Sequence, residues 1–262
     1  MLIMAATDNK TLAPQRWDAL RALIRERGVI RVEDLCRELR VSAATVRRDL
    51  DELERRGAIR RVHGGAVSVE SRLDEPLFAD KRSLAAREKR RIAEAAAGMV
   101  GSGDTIYLDG GSTVLELARL LRDRTNLTVV TNSLQAALEL SGRGPRLILI
   151  GGELRRLSQT LVGPLTRLLL GELHLDKAFM GTIGFALEEG LTTTDPSEAF
   201  TKQLVMRQAR QVILLADSSK AGKVSFARAG SWNEVHVVIT DRQVDGAFAR
   251  ALVKKGPKLL RA

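Results

Sequence analysis

Glycines and small polar residues follow several apolar runs in the C-terminal two thirds of the chain. Two of these sequences, DGGST (109–113) and DSSK (217–220), each begin with an aspartate directly after an apolar run. In DGGST the glycines let the backbone approach an anion, and Ser112 and Thr113 add hydroxyls near the start of a helix. In DSSK, Asp217 suits sugar hydroxyls and Lys220 suits a phosphate or a carbonyl. The two loops predict an anion site, although either could be only a structural turn.

A second group of candidates consists of basic residues in the N-terminal quarter. Ala43, Val46, Leu50 and Leu53 follow a 3, 4, 3 spacing, which predicts that they form the inner face of a helix capped by Ser42. At about 100° per residue, Arg48 then lies nearly opposite this face, with Thr45 beside it near the helix N-terminus. Side chains placed in this way can enter the major groove of DNA.

We therefore expect Thr45 and Arg48 to contact base edges. The expected contacts to the DNA backbone or the minor groove are Ser42, Arg47, Arg60, Arg61 and His63. The alternative is that the arginines only form a solvated helix face.

The elements that position these basic residues lie between residues 14 and 67. Helical spacing of apolar residues predicts three short helices, and AIRRVHGGAV (58–67) predicts a hairpin around Gly64 and Gly65. This order is that of a winged helix-turn-helix DNA-binding domain, which we assign to residues 10–67. Residues 68–78 have no sustained period and predict a linker, followed by a connecting helix with Leu84 and Ile92 on its inner face.

The remainder, residues 79–262, alternates short apolar runs with helical patterns. The predicted strands are 105–108, 127–131, 146–150, 177–180, 211–216 and 235–240. This alternation predicts an α/β domain with a mostly parallel sheet and helices on its faces. Ligands of such sheets bind at the carboxyl ends of the strands, where the glycine-rich and polar loops lie.

The composition excludes several classes of protein. The 262 residues carry a net charge of +10, which favours anionic partners such as nucleic acids or phosphorylated metabolites. The single cysteine, Cys36, excludes an internal disulfide and multi-cysteine metal sites, and it fits the cytoplasm. No apolar run approaches the roughly 20 residues of a membrane span. Neither GxGxxG nor GxxxxGK[ST] occurs, which disfavours nicotinamide cofactors and P-loop nucleotide hydrolysis.

The sequence VSAATVRRDLDELERRGAIRRVHGGAV (41–67) resembles the signature of the DeoR family of bacterial transcriptional regulators. The resemblance extends from about Arg16 to Asp241. It implies a repressor that binds double-stranded operator DNA. Control of such binding by an effector requires at least a dimer, so we expect a homo-oligomer, a dimer or a tetramer. The resemblance also implies a C-terminal domain that is related to ribose-5-phosphate isomerase and senses a phosphorylated sugar, without a cofactor or a metal.

The resemblance further implies which residues contact the effector. The positions that match the motifs of the family are Asp109, Gly111, Ser112, Thr113, Asn132, Gly152, Arg155, Gly181, Gly184, Asp217 and Lys220. The family more often has a single small residue between the aspartate and Gly-Thr-Thr. The DGGST sequence therefore leaves open which hydroxyl contacts the phosphate.

Two other functions are compatible with parts of the sequence. One is a sugar-phosphate isomerase with an appended DNA-binding domain. Against it, residues 179–200 lack a clear acidic cluster and a glycine-flanked lysine, and the pair Glu198 and Lys202 reads as an ion pair on a helix surface. The other is a nonspecific DNA-coating protein, for which the positive charge is too dispersed.

Overall fold

A computed structural model describes residues 13–27, 29–55, 58–62, 64–68 and 75–262. These residues fall into two units, with the boundary between Asp74 and Glu75. None of the helices in the described ranges is long and apolar enough to cross a lipid bilayer.

The first unit is a winged helix-turn-helix, as the sequence predicts. Its elements are α1 (Ala13–Arg27), β1 (Val29–Arg31), α2 (Val32–Leu39), α3 (Ala43–Arg55), β2 (Ile59–Val62) and β3 (Gly65–Ser68). The hairpin of β2 and β3 is antiparallel, and β1 pairs with the other side of β3. The sequence did not predict β1, because three residues are too few to show an alternating pattern.

The core of the first unit follows the helical spacing of its apolar residues. Val46, Leu50 and Leu53 on α3 are buried against α1 and α2, as expected. Ala43 is exposed instead, because it is the first residue of α3 and lies at the solvated end of the helix. Asp49 is buried on the same helix, which the apolar pattern alone did not indicate.

The second unit is built on a seven-stranded sheet in which every neighbouring pair of strands is parallel. In sheet order its strands are β15 (Lys258–Arg261), β14 (Val237–Thr240), β12 (Ala209–Leu215), β9 (Leu175–Met180), β4 (Thr105–Leu108), β5 (Thr128–Thr131) and β6 (Arg146–Leu149). Two separate apolar clusters are packed around residues of this sheet. The predicted α/β fold is confirmed. Of the seven strands of this sheet only the mostly exposed β15 was missed, and the strands of the two smaller sheets described next were not predicted.

Helices and two smaller sheets complete the second unit. The helices are α4 (Phe78–Ser83), α5 (Ala86–Ala97), α6 (Ser112–Leu121), α7 (Leu134–Leu140), α8 (Leu165–Leu170), α9 (Pro196–Gln208) and α10 (Gly246–Lys254). One small sheet contains β10 (Gly184–Ala186), β11 (Gly190–Thr193) and β13 (Ala227–Gly230), and the other contains β7 (Glu153–Arg155) and β8 (Thr160–Val162).

The start of the second unit differs from the sequence prediction in two ways. The predicted linker, residues 68–78, overlaps both units, since Ser68 ends β3 while Glu75 and the buried Phe78 belong to the second unit. The predicted connecting helix is two helices, because Ala85 adopts a left-handed conformation (φ 51°) between them. Leu84 is consequently exposed rather than packed inside.

Candidate functional site

A cleft lies at the carboxyl ends of the three central strands β4, β9 and β12. Its walls include residues 110–114, 181–183 and 215–217 together with Ser219 and Lys220, which lie at or just after the ends of these strands. The glycine-rich and polar loops predicted a ligand at this edge of the sheet. Of the eleven residues predicted to contact an effector, those that line the cleft are Gly111, Ser112, Thr113, Gly181, Asp217 and Lys220.

The DGGST loop brings the backbone close to the cleft. A Cβ atom on Gly110 would lie 2.2 Å from the Cγ2 atom of Thr160, and Gly111 has a φ of 136°, which favours glycine. Helix α6 begins at Ser112, and no side chain caps it. The first N–H groups of α6 therefore remain available to an anion next to the hydroxyls of Ser112 and Thr113.

Asp109 lies beneath this loop rather than on the wall of the cleft. It is 2% exposed, and its Oδ2 atom accepts hydrogen bonds from the N–H of Gly181 at 2.9 Å and from Nζ of Lys202. Nζ of Lys202 also donates to the carbonyl of Gly181 at 3.1 Å. Asp109 and Lys202 thus fix the ends of β4 and β9 relative to α9. Asp109 acts on the cleft through Lys202, which does line it.

Lys202 and Glu198 are buried, which corrects the expectation of an ion pair on a helix surface. Burial lowers the pKa of Lys202, but the neighbouring Asp109 and Glu198 outweigh this and raise it overall. Burial, together with the charges of Glu75 and Asp109, raises the pKa of Glu198. Glu198 Oε2 accepts a hydrogen bond from the hydroxyl of Thr193 at 2.5 Å.

Three further lysines, Lys81, Lys89 and Lys220, line the same cleft. Burial lowers the pKa of Lys220, and the charges of Lys81 and Lys223 lower it further, against the opposing effect of Asp217. Burial also lowers the pKa of Lys89, and the charges of Lys220 and Lys81 add to this shift against Asp217. The positive groups therefore repel one another across the cleft, and a bound anion would relieve this repulsion.

The DSSK loop is held by its own aspartate. Asp217 is buried at the end of β12, and its Oδ1 atom accepts hydrogen bonds from the N–H of Ser219, at 3.2 Å, and from the hydroxyl of Ser219. The N–H of Ser218 donates to Asp241 at 2.7 Å. These bonds form a tight turn that places Lys220 in the cleft.

Besides Asp109, four predicted effector residues do not line the cleft, since they pack or pair elsewhere. Nδ2 of Asn132 donates to the carbonyl of Leu161 at 3.0 Å, so this side chain joins β5 to β8. A Cβ atom on Gly152 would lie 2.6 Å from the carbonyl oxygen of Val162. One on Gly184 would lie 2.4 Å from the carbonyl oxygen of Lys223. Both glycines thus allow close approach of two backbone segments.

Arg155 is the fourth of these residues, and it forms ion pairs with carboxylates. It lies 2.8 Å from Glu75, 3.4 Å from Asp195 and 3.8 Å from Glu198. Burial lowers the pKa of Arg155, but the carboxylates, chiefly Glu75, raise it overall.

The cleft residues that sequence reasoning missed are mainly charged side chains on helices. They are Glu75, Lys81, Lys89, Glu198 and Lys202. One signal was available, because Lys89 falls on the buried face of α5 with Ile92, Ala93 and Ala96. A lysine on the inner face of an amphipathic helix needs a partner and so marks a candidate site. Lys202 lies 93 positions from Asp109 in the sequence, which no local pattern reveals.

In the first unit, α3 presents the predicted DNA-contacting residues near its start. The Ser42 hydroxyl accepts the N–H of Thr45 at 3.2 Å, which is an N-cap bond, and lies 2.9 Å from the Thr45 hydroxyl. Arg47 and Arg48 are both exposed.

The wing contains the remaining predicted contacts. Arg60 and Arg61 are in β2, and Arg61 pairs with Asp51 and donates its N–H to Glu54 at 2.7 Å. His63 lies outside the described residues. Contact of any of these side chains with DNA stays a prediction.

Asp49 connects α3 to α1. Its carboxylate accepts hydrogen bonds from Arg16 Nε at 2.5 Å, Arg16 Nη2 at 3.0 Å and Trp17 Nε1 at 2.9 Å. Asp49 directly follows the exposed Arg48 in the sequence. Asp49 therefore sets the position of α3 against the rest of the first unit.

Both units match models of one protein family. Residues 16–72 match the DeoR-like helix-turn-helix domain, and residues 84–242 match the DeoR C terminal sensor domain. The HTH-type transcriptional regulator GlpR of Haloferax volcanii is 40% identical over 82% of this chain and 84% of its own length. The lactose phosphotransferase system repressor of Streptococcus mutans is 38% identical over 88% of this chain and 93% of its own. The transcriptional repressor GlcR of Bacillus subtilis is 34% identical over 94% of this chain and 95% of its own length.

Solved structures resemble this chain more distantly. Ribose 5-phosphate isomerase A from Methanocaldococcus jannaschii is 21% identical, with a TM-score of 0.39 over 51% of this chain and 53% of its own. Such a distant likeness carries no activity with it, since one fold hosts many functions. The relatives that match nearly the whole chain are named as regulators and repressors, so the chain is a regulator and not an isomerase. The chain belongs to the DeoR family of helix-turn-helix transcriptional regulators.

Proposed function

We propose that this DNA-binding regulator represses genes of sugar metabolism and that a phosphorylated sugar in the cleft controls its binding to operator DNA. The observation that carries the proposal is the convergence of Lys81, Lys89 and Lys220 beside the uncapped start of α6. Ammonium groups and free backbone N–H groups together suit a phosphate, and the nearby Asp217 and Glu198 suit sugar hydroxyls. The names of the lactose and GlcR repressors support the assignment to repression.

In the DNA-binding unit, Thr45 and Arg48 contact base edges, and the other predicted residues contact the DNA backbone or the minor groove. Those other contacts are Ser42, Arg47, Arg60, Arg61 and His63. The exposure of Arg48 supports the first role, because an exposed guanidinium can donate two hydrogen bonds to guanine. The protein acts in the cytoplasm, where its operator DNA lies.

Control by the sugar phosphate requires at least a dimer. Two recognition helices on one operator must match the spacing of its half-sites. A ligand that favours another arrangement of subunits removes this match and lowers operator affinity. Sedimentation of the protein alone and on operator DNA tests the proposal, which predicts a dimer or a tetramer. A monomer in both samples would contradict it.

Thermal unfolding in the presence of sugar phosphates tests the cleft. At 100 times its dissociation constant, a ligand that binds only the folded state adds about 2.7 kcal/mol of stability. We expect one phosphorylated sugar to raise the unfolding temperature while its unphosphorylated parent does not. Replacement of Lys220 by alanine removes the shift, whereas Lys254→Ala, at an exposed lysine of α10, keeps it. A full panel without any shift would contradict the phosphate site.

A further inference from the structure

The first ten residues of the second unit, 75–84, form a segment that we call the joining segment. It contains Glu75, the short helix α4 and Leu84, and it follows directly on the last residue of the first unit. The carboxylate of Glu75 is fully buried. A buried carboxylate at the start of a domain needs several partners, so the contacts of Glu75 show what holds the segment.

The carboxylate of Glu75 has three partners, two at its Oε2 atom and one at its Oε1 atom. Oε2 of Glu75 lies 2.8 Å from Nη2 of Arg155 and accepts a hydrogen bond from the hydroxyl of Thr194 at 2.5 Å. Nη2 of Arg155 also donates a hydrogen bond to the hydroxyl of Thr194 at 3.0 Å. The other partner is Lys81, whose Nζ atom lies 2.5 Å from Oε1 of Glu75. Burial raises the pKa of Glu75, but Lys81, Arg155 and Thr194 outweigh this and lower it overall. The carboxylate is thus charged and fully engaged.

Of these three partners, Lys81 also lines the cleft. The side chain of Lys81 therefore pairs with Glu75 and also borders the cleft in which we place the anion. Lys89 has a related double role, because its Nζ atom donates to the carbonyls of Lys81 and Leu84 while the side chain lines the cleft. Two of the cations that hold the joining segment, Lys81 and Lys89, are therefore cations that a ligand would engage, whereas the third, Arg155, does not line the cleft.

We propose that an anion in the cleft competes with Glu75 for Lys81, and that this competition transmits ligand binding to the chain that leads to the DNA-binding unit. The inference rests on the proposed function of the cleft and adds the contact by which the cleft acts. An anion draws the ammonium of Lys81 away from Glu75 and loosens the joining segment at its first residue. The intact pair of Glu75 and Lys81 corresponds to the state that binds operator.

Competition has a consequence that a purely structural ion pair lacks. If Glu75 competes with the ligand, its removal makes the anion bind more tightly and the operator bind more weakly, since coupling between two sites is reciprocal. Removal of Lys81 also breaks the pair and weakens operator binding, but it takes a cation from the cleft. Both variants should therefore bind the operator more weakly. The variant without Glu75 should bind the anion more tightly, whereas the variant without Lys81 should bind it more weakly.

The test uses the full-length protein, inorganic phosphate as the anion and a DNA duplex that the protein selects from a random pool. We expect Glu75→Gln to bind phosphate about fivefold more tightly and the duplex about fivefold more weakly, the lower end of typical coupling. Lys81→Met should bind both more weakly. Glu94→Gln, an exposed glutamate of α5, is the matched control and should resemble the wild type. Calorimetry measures phosphate binding, and fluorescence anisotropy measures binding of the duplex.

The outcomes separate the inference from the proposed function. Absence of phosphate binding by the wild type would overturn the anion site and the inference with it. Normal phosphate binding by the wild type, with equal or weaker binding by Glu75→Gln, would overturn the inference alone. Should Glu75→Gln not fold, Lys81→Met decides the matter, because wild-type affinity of this variant for the duplex would also overturn the inference.

Discussion

Lys202 on α9 donates a hydrogen bond to the carboxylate of Asp109 at the end of β4, although 93 positions separate the two residues in the sequence. Both side chains are buried, with 5% and 2% of their surface exposed. The N–H of Gly181 binds the same carboxylate oxygen at 2.9 Å. The pair thus joins two central strands and a helix directly beneath the cleft.

Replacement of Lys202 by methionine should destabilise the second unit strongly. The variant leaves the Asp109 charge buried without its cation, which typically costs about 3 to 5 kcal/mol. Urea unfolding followed by the fluorescence of Trp232 measures the loss, because this tryptophan is buried in the second unit. The double variant Asp109→Asn, Lys202→Met should recover part of the stability. Lys255→Met, which breaks an exposed pair with Glu188, is the control and should cost about 1 kcal/mol or less. A similar small loss for Lys202→Met would contradict the role of the pair.

Replacement of Asp49 by alanine should destabilise the first unit and leave the cleft intact. Arg16 and the indole N–H of Trp17 would lose their buried acceptor, for which we expect a loss of about 3 kcal/mol. Trp17 fluorescence in a Trp232→Phe background reports unfolding of this unit. Asp51→Ala removes a carboxylate that is 61% exposed, and it should change stability by about 1 kcal/mol or less. Weaker phosphate binding in Asp49→Ala would show that its effect is not confined to the first unit.

Replacement of Arg48 by alanine should reduce specificity for the operator. A good base contact is worth about 1 to 3 kcal/mol, so operator binding should weaken by that amount and binding to random DNA by less. Anisotropy titrations of both duplexes at one salt concentration measure the two losses. Arg90→Ala removes the same charge from an exposed site on α5, and it should affect neither duplex. Equal losses on operator and random DNA would instead make Arg48 a contact to the phosphate backbone.

Phosphate binding should weaken as the pH rises, and the decline should begin below the ordinary range of lysine. Burial and neighbouring lysines lower the pKa of both Lys89 and Lys220, so these groups lose their protons early and with them their attraction for an anion. The titrations use a sugar phosphate rather than inorganic phosphate, because the second pKa of a phosphate monoester is about 6 and the group stays a dianion above about pH 7. Lys220→Arg keeps its charge throughout this range and should flatten the decline, whereas Lys254→Arg should not. Calorimetric titrations at several pH values provide the measurement; a flat profile in the wild type would contradict direct contact with lysine.

The sequence predicted those parts of the fold that depend on short-range periodicity. The spacing of Val46, Leu50 and Leu53 identified α3, and the apolar runs identified six of the seven strands of the large sheet. Because loops at the ends of parallel strands meet at one edge, the DGGST and DSSK loops could also be placed together. Their meeting in one cleft agrees with this reasoning.

The sequence could not predict the charged residues that complete the site. Glu75 and Thr194 meet although 119 positions separate them, and each is unremarkable in its local sequence. Gly152 and Gly184 share motif positions with the family, but close backbone contacts alone account for a glycine at both positions. Such contacts depend on how the helices and small sheets pack, which local patterns do not encode.

The central claim is that a phosphorylated sugar in the cleft controls binding to operator DNA. The most direct measurement is the affinity of the full-length protein for its operator, titrated with the sugar phosphate that stabilises it. We predict that the sugar phosphate weakens operator binding at least about fivefold in the wild type, and far less in Lys220→Ala and Ser112→Ala. An operator affinity that stays constant while the sugar phosphate saturates the protein would contradict the account.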